Sequence, residues 1–296
     1  MALNLHLLRL FTTVAQTGSF SRAAEELHIS QPAISKGVRD FELQVGCRLL
    51  DRGARGVRPT REGEALLRHA RALFAMERAA EEELYALRGL GSGILRIGAS
   101  TTIATYMIPP YLGSFNRAYP GINLSITSAN TRDIANLLIK HEIDIALVEG
   151  PVDETNIVSE AWRRDEMVLI ASPQHVLANA AELIDPTRIS EEIFIIREAG
   201  SGSREVVTEA LRIHQINPTQ RLEVGSTEAI KQIVAGGLGI AMISISTIRD
   251  QIALGTLVVV PVRGLRIERT LWRLRVFGRL SNPATAAFEK LIQLQA

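Results

Sequence analysis

The chain has 296 residues, of which 46% are hydrophobic and 22% charged, and its formal net charge is +1 at pH 7. This composition is typical of a globular protein and excludes the disordered and fibrous classes, and the length predicts about two domains. The single cysteine, Cys47, excludes an intrachain disulfide and a multi-cysteine metal site. We see no signal peptide and no membrane-spanning stretch, so we expect a cytoplasmic protein.

Basic residues are concentrated near the N-terminus. Residues 1–61 contain nine arginine and lysine residues against five acidic ones, although the whole chain is nearly neutral. The distribution of charge therefore says more about a partner than the net charge does.

The first 45 residues predict three helices. Apolar residues between positions 7 and 14 recur at helical spacing, with Asn4 able to cap the start of this helix and Gly18 its end. Ser19 can cap a second helix that turns two alanines inward. Ser30 can cap a third helix, whose buried stripe is Ile34, Val38, Phe41 and Val45.

The third helix has a polar face of the kind that reads DNA. At 100° per residue, Pro32, Ser35, Lys36 and Arg39 lie opposite the buried stripe, and Gln31 lies at the exposed tip. Lysine and arginine can donate to guanine, and glutamine can pair with adenine through two hydrogen bonds. A polar helix face is more often simply solvated, so this face alone does not establish DNA binding.

Residues 49–60 predict a β-hairpin beside this helix. Two short strands flank a glycine-containing turn, and arginines lie at the tip. A basic hairpin next to a recognition helix is typical of a winged helix-turn-helix.

The run from Phe11 to Arg52 contains four short motifs, Gly18-Ser19-Phe20, Arg22-Ala23-Ala24, Ser30 to Lys36, and Leu49 to Arg52. This ungapped run resembles the DNA-binding signature of LysR-type transcription regulators. The resemblance implies an all-α winged helix-turn-helix domain over residues 1–60 that binds double-stranded operator DNA.

The same resemblance implies a role for individual side chains. Four would contact bases in the groove, namely Gln31, Pro32, Ser35 and Lys36. Arg52 and Arg55 would hold the flanking backbone, and Ser19, Ser21 and Arg22 the phosphates. The family often has arginine where this chain has Lys36, which weakens two-bond recognition of guanine.

Residues 61–88 predict one long helix, which follows a possible cap at Thr60. The segment lacks proline and has a heptad stripe flawed only at Glu77, formed by Leu66, Ala70, Leu73, Glu77, Ala80, Leu84 and Leu87. The stripe can pack on its own domain, or on the same helix of a second subunit, which the resemblance favours. We then expect dimers on a dyad-symmetric operator, a tetramer formed as a dimer of dimers, and contact with RNA polymerase if the protein activates.

After the glycine-rich stretch 89–93, strand and helix patterns alternate to residue 260, which predicts parallel α/β sheets. The strands are expected near 94–99, 123–127, 143–148, 166–171, 193–197, 220–224, 239–243 and 256–260, and the helices near 103–118, 131–140, 203–214, 226–235 and 246–253. This part resembles the two-lobed, periplasmic-binding-protein-like sensor of LysR-type proteins, an α/β effector-binding domain over residues 92–296. The resemblance implies one lobe over 92–162 and 268–296 and another over 163–267.

Four hydroxyl-rich loops follow predicted strands, and ligands bind at such strand ends in open α/β sheets. The candidate effector site is Ser100, Thr101, Thr102, Thr131, Ser201, Gly202, Ser203 and Thr227. Each hydroxyl alone is more often a helix cap. Together, near Arg197 and Arg204, they predict a small anionic metabolite, although Glu149 and Glu198 could repel it.

Other classes of protein fit the sequence less well. Residues 200–202 do not form the nucleophile motif Gly-x-Ser-x-Gly, no phosphate-binding glycine motif follows a strand, and the six histidines lack metal-ligand spacing. We therefore expect no catalytic residues, no metal and no cofactor. A transport solute-binding protein shares the sensor fold but is secreted and lacks residues 1–88. Residues 197–204 also resemble family branches that govern carbon fixation or sulfur assimilation.

Overall fold

The computed structural model describes residues 2–53, 56–86, 93–150, 152–178, 180, 182–279 and 281–294. The chain divides into two compact units, Met1–Glu81 and Glu82–Ala296. Each unit has its own hydrophobic core.

The three predicted helices of the first unit are confirmed. They are α1 (Leu5–Thr17), α2 (Phe20–Leu27) and α3 (Gln31–Val45). The Asn4 side chain accepts hydrogen bonds from two amides of the first turn of α1, and Gly18 ends this helix in the left-handed region at φ 65°. Ser19 caps α2 through its hydroxyl, whereas Ser30 lies at the cap position of α3 without a side-chain cap bond.

The core of the first unit lies among these helices. Phe11 and Phe41 are fully buried, with ring centroids 6.3 Å apart. Gly37 lets α3 approach α1 closely, because a Cβ at this position would lie 2.3 Å from a methyl carbon of Leu10. A larger residue at position 37 would therefore displace the Leu10 side chain.

The predicted hairpin is also confirmed, as β1 (Leu50–Gly53) paired antiparallel with β2 (Gly56–Pro59). The Val57 amide donates to the carbonyl of Gly18 at 3.0 Å, which ties the hairpin to the α1–α2 turn. One carboxylate oxygen of Glu42 accepts from the amides of Leu49 and Leu50 at 2.8 and 3.1 Å. The hairpin is thus fixed to both ends of the helix-turn-helix.

The long helix α4 (Arg61–Ala86) does not bury the expected heptad stripe as a whole. Its buried side faces its own unit and consists of Gly63, Leu67, Ala70, Phe74 and Ala75. Ala70 is only 1% exposed, and the expected stripe member Glu77 forms a salt bridge with Arg9 of α1. Ala70 and Glu77 of the expected stripe therefore face the first unit, and pairing of the stripe with a second subunit stays a prediction.

Leu73 and Leu84, two other members of the expected stripe, lie on the exposed side of α4. They are 38% and 65% exposed, and Met76 on the same helix is 47% exposed. Residues 87–88, including Leu87 of the stripe, lie outside the described residues. The first unit therefore packs on one side of α4 and leaves an apolar strip on the other.

The second unit consists of two halves, each with parallel strands and covering helices. The first half contains β3 (Gly93–Ser100), α5 (Pro109–Ala118), β4 (Ile122–Ala129), α6 (Thr131–Ile139), β5 (Ile145–Val148) and the C-terminal α10 (Pro283–Leu294). The second half contains β7 (Ile193–Arg197), α7 (Gly202–Ile213), β8 (Gln220–Val224), α8 (Thr227–Ala235), β9 (Ile240–Ser244), α9 (Arg249–Ala253) and β10 (Val258–Val259).

Two long strands join the halves, β6 (Ile157–Ala171) and β11 (Ile267–Val276), which pair antiparallel with each other. β11 also pairs with β5 and β6 with β9, again antiparallel. The expected parallel pairing is confirmed within each half, but the joining strands pair antiparallel, so the sheet as a whole is mixed. β6 begins nine residues before the strand expected at 166–171, and β11 was not among the expected strands.

The helix expected over residues 103–118 is two elements. A π-helical turn covers Ile103–Met107, closed by a hydrogen bond from the Ile108 amide to the Ile103 carbonyl, and α5 begins at Pro109. The break has a local cause, because the two prolines at 109 and 110 cannot donate backbone hydrogen bonds. π-Helical turns occur often at functional sites.

Candidate nucleic-acid interface and effector site

The outer face of α3 is open to solvent. Gln31, Pro32, Lys36 and Arg39 are exposed and Ser35 is half-buried, while Ile34, Val38 and Phe41 are turned into the core. The structure therefore places these five predicted side chains along one accessible side of the helix. Among the described residues, no salt bridge involves Lys36 or Arg39, so both charges are available to a partner.

Arg52 on β1 is held against the helix-turn-helix. One guanidinium nitrogen donates to the Ser35 hydroxyl at 3.3 Å, and the guanidinium carbon lies 4.4 Å from the centroid of the Phe20 ring. The cation–π contact keeps the charge exposed but fixes its direction. Arg55, predicted to act beside Arg52, lies outside the described residues.

The start of α2 carries the three residues predicted to contact phosphates. Ser21 and Arg22 are exposed, whereas the Ser19 hydroxyl already accepts a hydrogen bond from the Arg22 amide at 3.4 Å. Anions are stabilised at such a helix N-terminus by the free amides and the helix dipole. Ser19 thus serves first as a cap.

In the second unit, loops from the two halves meet. The Gly202 amide at the start of α7 donates to the Thr131 hydroxyl at the start of α6, at 3.3 Å. Close by, the Arg132 amide donates to the Gly200 carbonyl at 3.2 Å. A Cβ on Gly202 would lie 2.7 Å from the Thr131 hydroxyl oxygen, so glycine is required for this approach. The structure thus brings the predicted loops at 131 and 201–203 together.

A buried ionic network lies under these loops. The Ser203 hydroxyl donates to the Glu149 carboxylate at 2.7 Å and accepts from the Arg269 guanidinium at 2.7 Å. Arg269 also forms a salt bridge of 2.7 Å with Asp165, which accepts from the Ser244 hydroxyl at 2.8 Å. The side chains of Glu149, Asp165 and Arg269 are 1–2% exposed.

The surroundings of Glu149 keep it ionised. Burial alone raises the pKa of this carboxyl, but Arg269, the Thr102 and Ser203 hydroxyls and the more distant Arg197 together hold it below the ordinary value. Arg269 is shared between Glu149 and Asp165, so it reduces but does not remove the repulsion of an anion that the sequence suggested for Glu149. Sequence reasoning missed Arg269 and Asp165, because both lie on the strands that join the halves.

Two of the four hydroxyl-rich loops are plain helix caps and two are not. Asn130 and Ser226 accept hydrogen bonds from the first-turn amides of α6 and α8. Ser201 precedes α7 without a cap bond, and the side-chain oxygens of Ser100, Thr101 and Ser201 are buried and have no hydrogen-bond partner in the structure. Unpaired buried hydroxyls are costly unless a further group pairs with them.

The cations near the predicted site already have partners. Arg197 is 4% exposed, forms a salt bridge of 2.7 Å with Glu198 and donates to the Thr227 hydroxyl at 3.1 Å. Arg204 donates to the Arg197 carbonyl at 3.1 Å and forms a salt bridge with Glu223. The hydroxyls, rather than these two guanidinium groups, are the unengaged donors of the site.

A second contact between the halves lies beside the π-helical turn. The Lys231 ammonium on α8 donates to the Tyr106 hydroxyl at 2.7 Å and to the Thr247 carbonyl at 2.9 Å. The Lys231 side chain is 2% exposed although it carries a charge. No sequence pattern indicated this pair, which joins residues 125 positions apart.

The described residues contain no helix that is both long and apolar enough to span a membrane. Within the same residues, no group of three or more histidine, cysteine, aspartate or glutamate side chains could hold a metal ion.

Two family models match the chain. One, a bacterial regulatory helix-turn-helix protein of the lysR family, matches residues 5–64, and the other, the LysR substrate binding domain, matches residues 88–295. A curated relative, the RuBisCO operon transcriptional regulator of Acidithiobacillus ferrooxidans, is 36% identical over 96% of this chain and 91% of that protein.

Two solved structures are similar to this chain. A full-length OxyR variant from Pseudomonas aeruginosa has a TM-score of 0.79 and 26% identity over 99% of this chain and 94% of that one. The CcmR regulatory domain from Synechocystis PCC6803, solved in complex with 2-PG, has a TM-score of 0.64 and 32% identity. It covers 69% of this chain and 97% of that chain.

Proposed function

The chain belongs to the LysR family of bacterial transcriptional regulators, and from this premise we propose that its first unit binds operator DNA under the control of a small anion in its second unit. The family consists of regulators rather than enzymes, and its members bind operator DNA. The observation that carries the DNA-binding part is the accessible face of α3, with Gln31, Lys36 and Arg39 exposed beside a fixed Arg52.

In the proposed complex, α3 lies in the major groove and Gln31, Pro32, Ser35 and Lys36 meet base edges there. Arg39 and Arg52 hold the backbone, together with Arg55, which stays a prediction from the sequence. Ser19, Ser21 and Arg22 present the start of α2 to a phosphate. These contacts divide into base-reading and backbone-holding sets, which differ in their effect on sequence preference.

We further propose that two chains pair through the exposed side of α4. Leu73, Met76 and Leu84 together form an apolar strip that a single chain leaves in water. Pairing would cover it and would place two copies of α3 on one frame, so that each reads a half-site. The expected tetramer would follow from pairing of such dimers.

The proposed effector site lies between the two halves of the second unit. Its unengaged donors are the hydroxyls of Ser100, Thr101 and Ser201, and Thr102, Thr131, Gly202, Ser203 and Thr227 surround them. Hydroxyls at the ends of strands and starts of helices suit a carboxylate or phosphate. The CcmR regulatory domain, solved with 2-PG, supports an anion of this class. Residues 197–204 resemble family branches that govern carbon fixation or sulfur assimilation. The relative named for the RuBisCO operon favours carbon fixation.

The function can be tested in two steps. Genomic fragments retained by the immobilised protein would identify its duplex, and the affinity for that duplex should fall steeply as salt rises, because bound cations release counterions. Affinity for 2-PG and inorganic phosphate is then measured with and without the duplex. Retention of no fragment above background would refute DNA binding. If neither 2-PG nor phosphate changes the affinity for the duplex, control by the proposed effector is refuted.

A further inference from the structure

We propose that Tyr106 and Lys231 form a latch that holds the two halves of the second unit closed over the effector site. The Lys231 ammonium on α8 donates to the Tyr106 hydroxyl at 2.7 Å and lies 4.8 Å from the centroid of the Tyr106 ring. Tyr106 packs on the core of the first half, and α8 packs on the core of the second. The inference rests on the proposed control by an effector, because it concerns access to that site.

The effector site is closed in the structure. Ser100 and Ser201 are each 1% exposed, and Thr102 is 2% exposed. The halves meet beside these residues, where the Gly202 amide donates to the Thr131 hydroxyl at 3.3 Å. A ligand of several atoms therefore reaches these hydroxyls only when the halves separate.

Both latch residues lie about one helical turn from a residue of the effector site. Tyr106 follows Thr102 by four positions, across the π-helical turn, and Lys231 follows Thr227 by four positions in α8. Residues four positions apart lie on the same side of a helix. Separation of the halves at the effector site therefore also separates Tyr106 from Lys231.

The other partners of Lys231 allow this contact to break and re-form. The ammonium donates to the Thr247 carbonyl at 2.9 Å, forms a salt bridge of 2.8 Å with Glu228 and lies 3.4 Å from the side-chain oxygen of Gln251. These three partners belong to the second half, and an ammonium group has three donors. When the halves separate, the ammonium keeps these partners and the Tyr106 hydroxyl meets water. Opening thus avoids a buried unpaired charge, which would be costly.

The latch is connected to the strands that join the halves. The Thr247 hydroxyl donates to the Ser244 carbonyl at 2.7 Å, and the Ser244 hydroxyl donates to Asp165 on β6 at 2.8 Å. Asp165 in turn forms a salt bridge with Arg269 on β11. The acceptor that holds Lys231 in place is therefore anchored to the two strands about which the halves would move.

The first measurement follows opening without any ligand. Ser201→Cys in a Cys47→Ala background places the only thiol of the chain where the halves meet. A buried thiol reacts with iodoacetamide from an opened state, so its rate reports the population of that state. A thiol introduced instead by Ala135→Cys, at a position of α6 that is 4% exposed in the core of the first half, reports loosening of the fold.

Tyr106→Phe removes only the hydroxyl that Lys231 contacts. We expect it to raise alkylation at position 201 by about 10- to 100-fold, as for the loss of a hydrogen bond to a charged group, and to leave position 135 unchanged. Tyr119→Phe, at another half-buried tyrosine of the first half, is the matched control and should leave both rates unchanged. In a Lys231→Met background, Tyr106→Phe should have no further effect, because the partner of the hydroxyl is already lost.

The second measurement gives the association and dissociation rates of 2-PG in chains without an introduced thiol. The latch is closed before binding and closes again over the ligand, so its loss should favour the open state between them. Tyr106→Phe should therefore raise both rates by a similar factor and leave the dissociation constant nearly unchanged.

Three results would overturn the latch. One is equal alkylation at position 201 in Tyr106→Phe and the wild-type background, and another is an equal rise at positions 201 and 135. The third is a rise of the dissociation rate of 2-PG alone. A wild-type chain that binds neither 2-PG nor inorganic phosphate would instead refute the proposed effector, and the alkylation rates, which need no ligand, would still decide the latch.

Discussion

The Ser203 hydroxyl, at the start of α7, donates a hydrogen bond of 2.7 Å to the carboxylate of Glu149, which directly follows β5. This bond connects the second half of the second unit to the first. The Ser203 oxygen accepts in turn from Arg269 on β11, one of the two strands that join the halves. A single hydroxyl therefore links both halves and the connection between them.

Replacing the Glu149 carboxylate should destabilise the second unit at neutral pH. Glu149→Gln keeps the size of the side chain but removes the charge that Arg269 and Ser203 meet, at a cost of roughly 1.5–3 kcal/mol, as for a hydrogen bond to a charged group. Urea unfolding followed by tryptophan fluorescence measures this cost, because both tryptophans, Trp162 and Trp272, lie in the second unit. Glu209→Gln is the matched control: this carboxylate of α7 forms an exposed salt bridge with Arg212, whose loss should change the free energy of unfolding little.

The free energy of unfolding that is lost in Glu149→Gln should also depend on pH. Burial raises the pKa of Glu149, but Arg269 and the two hydroxyls outweigh it, so the folded pKa lies below the ordinary value. Stabilisation by such a carboxylate is complete above the unfolded pKa of about 4.3 and disappears as pH falls through the lower folded pKa. The difference in free energy of unfolding between wild type and variant should therefore be constant from pH 7 to 5 and shrink at more acid pH. A gap that narrows already between pH 7 and 6 would contradict the lowered pKa.

Removing the unpaired hydroxyls should weaken effector binding without weakening the fold. Ser201→Ala and Thr101→Val delete oxygens that are buried and have no partner in the structure, so no existing hydrogen bond is lost. If an anion accepts from them, each change should cost about 0.5–1.5 kcal/mol of binding energy, and up to about 3 kcal/mol where the acceptor is charged. Calorimetric titration with 2-PG measures the first effect and thermal unfolding the second.

Thr131→Val provides the contrast for these variants. The Thr131 hydroxyl accepts from the Gly202 amide, so its loss should lower thermal stability as well as affinity. If Ser201→Ala and Thr101→Val titrate like the wild type, the hydroxyls have a structural role only.

The residues that the sequence predicted well are those whose environment is local. The capped helices of the first unit follow from side chains within a few positions, such as Asn4, Ser19 and Gly18. Strands β7 and β8 were predicted with their observed bounds, because short apolar or alternating runs end at turn residues.

β11 was missed because its buried positions are not all apolar. Ile267 and Leu271 are buried as a strand pattern requires, but Arg269 and Arg273 are buried too, at 4% and 6% exposure. Arg269 finds Asp165 on β6, and Arg273 forms a salt bridge with Glu160 on the same strand. Charged residues that are neutralised by a distant strand look like a solvated segment in the sequence alone.

Charge on the exposed side of α4 should break the proposed dimer. Leu73→Glu with Leu84→Glu places two carboxylates on the apolar strip without touching the buried side formed by Leu67, Ala70 and Phe74. Sedimentation should show an assembly of half the wild-type mass or less for this variant and an unchanged mass for Leu254→Glu, a control at a leucine that is 75% exposed on another surface. An unchanged mass for the double variant would place the interface elsewhere.

Mutants of the first unit should distinguish the residues that read bases from those that hold the DNA backbone. Gln31 is the exposed first residue of α3, and Arg52 is fixed on the hairpin by Ser35 and Phe20. Gln31→Ala should reduce discrimination at one base position by roughly 1–3 kcal/mol, the value of a good two-bond contact, whereas Arg52→Ala should weaken all duplexes alike. Competition binding with duplexes substituted one base pair at a time measures both effects.

Two further variants of α3 test the chemistry of base reading. Lys36→Arg replaces an ammonium group with a planar guanidinium that can donate two parallel hydrogen bonds. It should therefore strengthen the preference for guanine at the base that Lys36 contacts. Gln44→Ala is the matched control for Gln31→Ala, because the Gln44 amide lies in the same helix but donates to the Ala2 carbonyl at 3.0 Å. It should leave the whole preference profile unchanged. If Gln31→Ala and Arg52→Ala flatten the profile equally, or if Gln44→Ala flattens it as much as Gln31→Ala, then α3 does not read bases with its N-terminal turn.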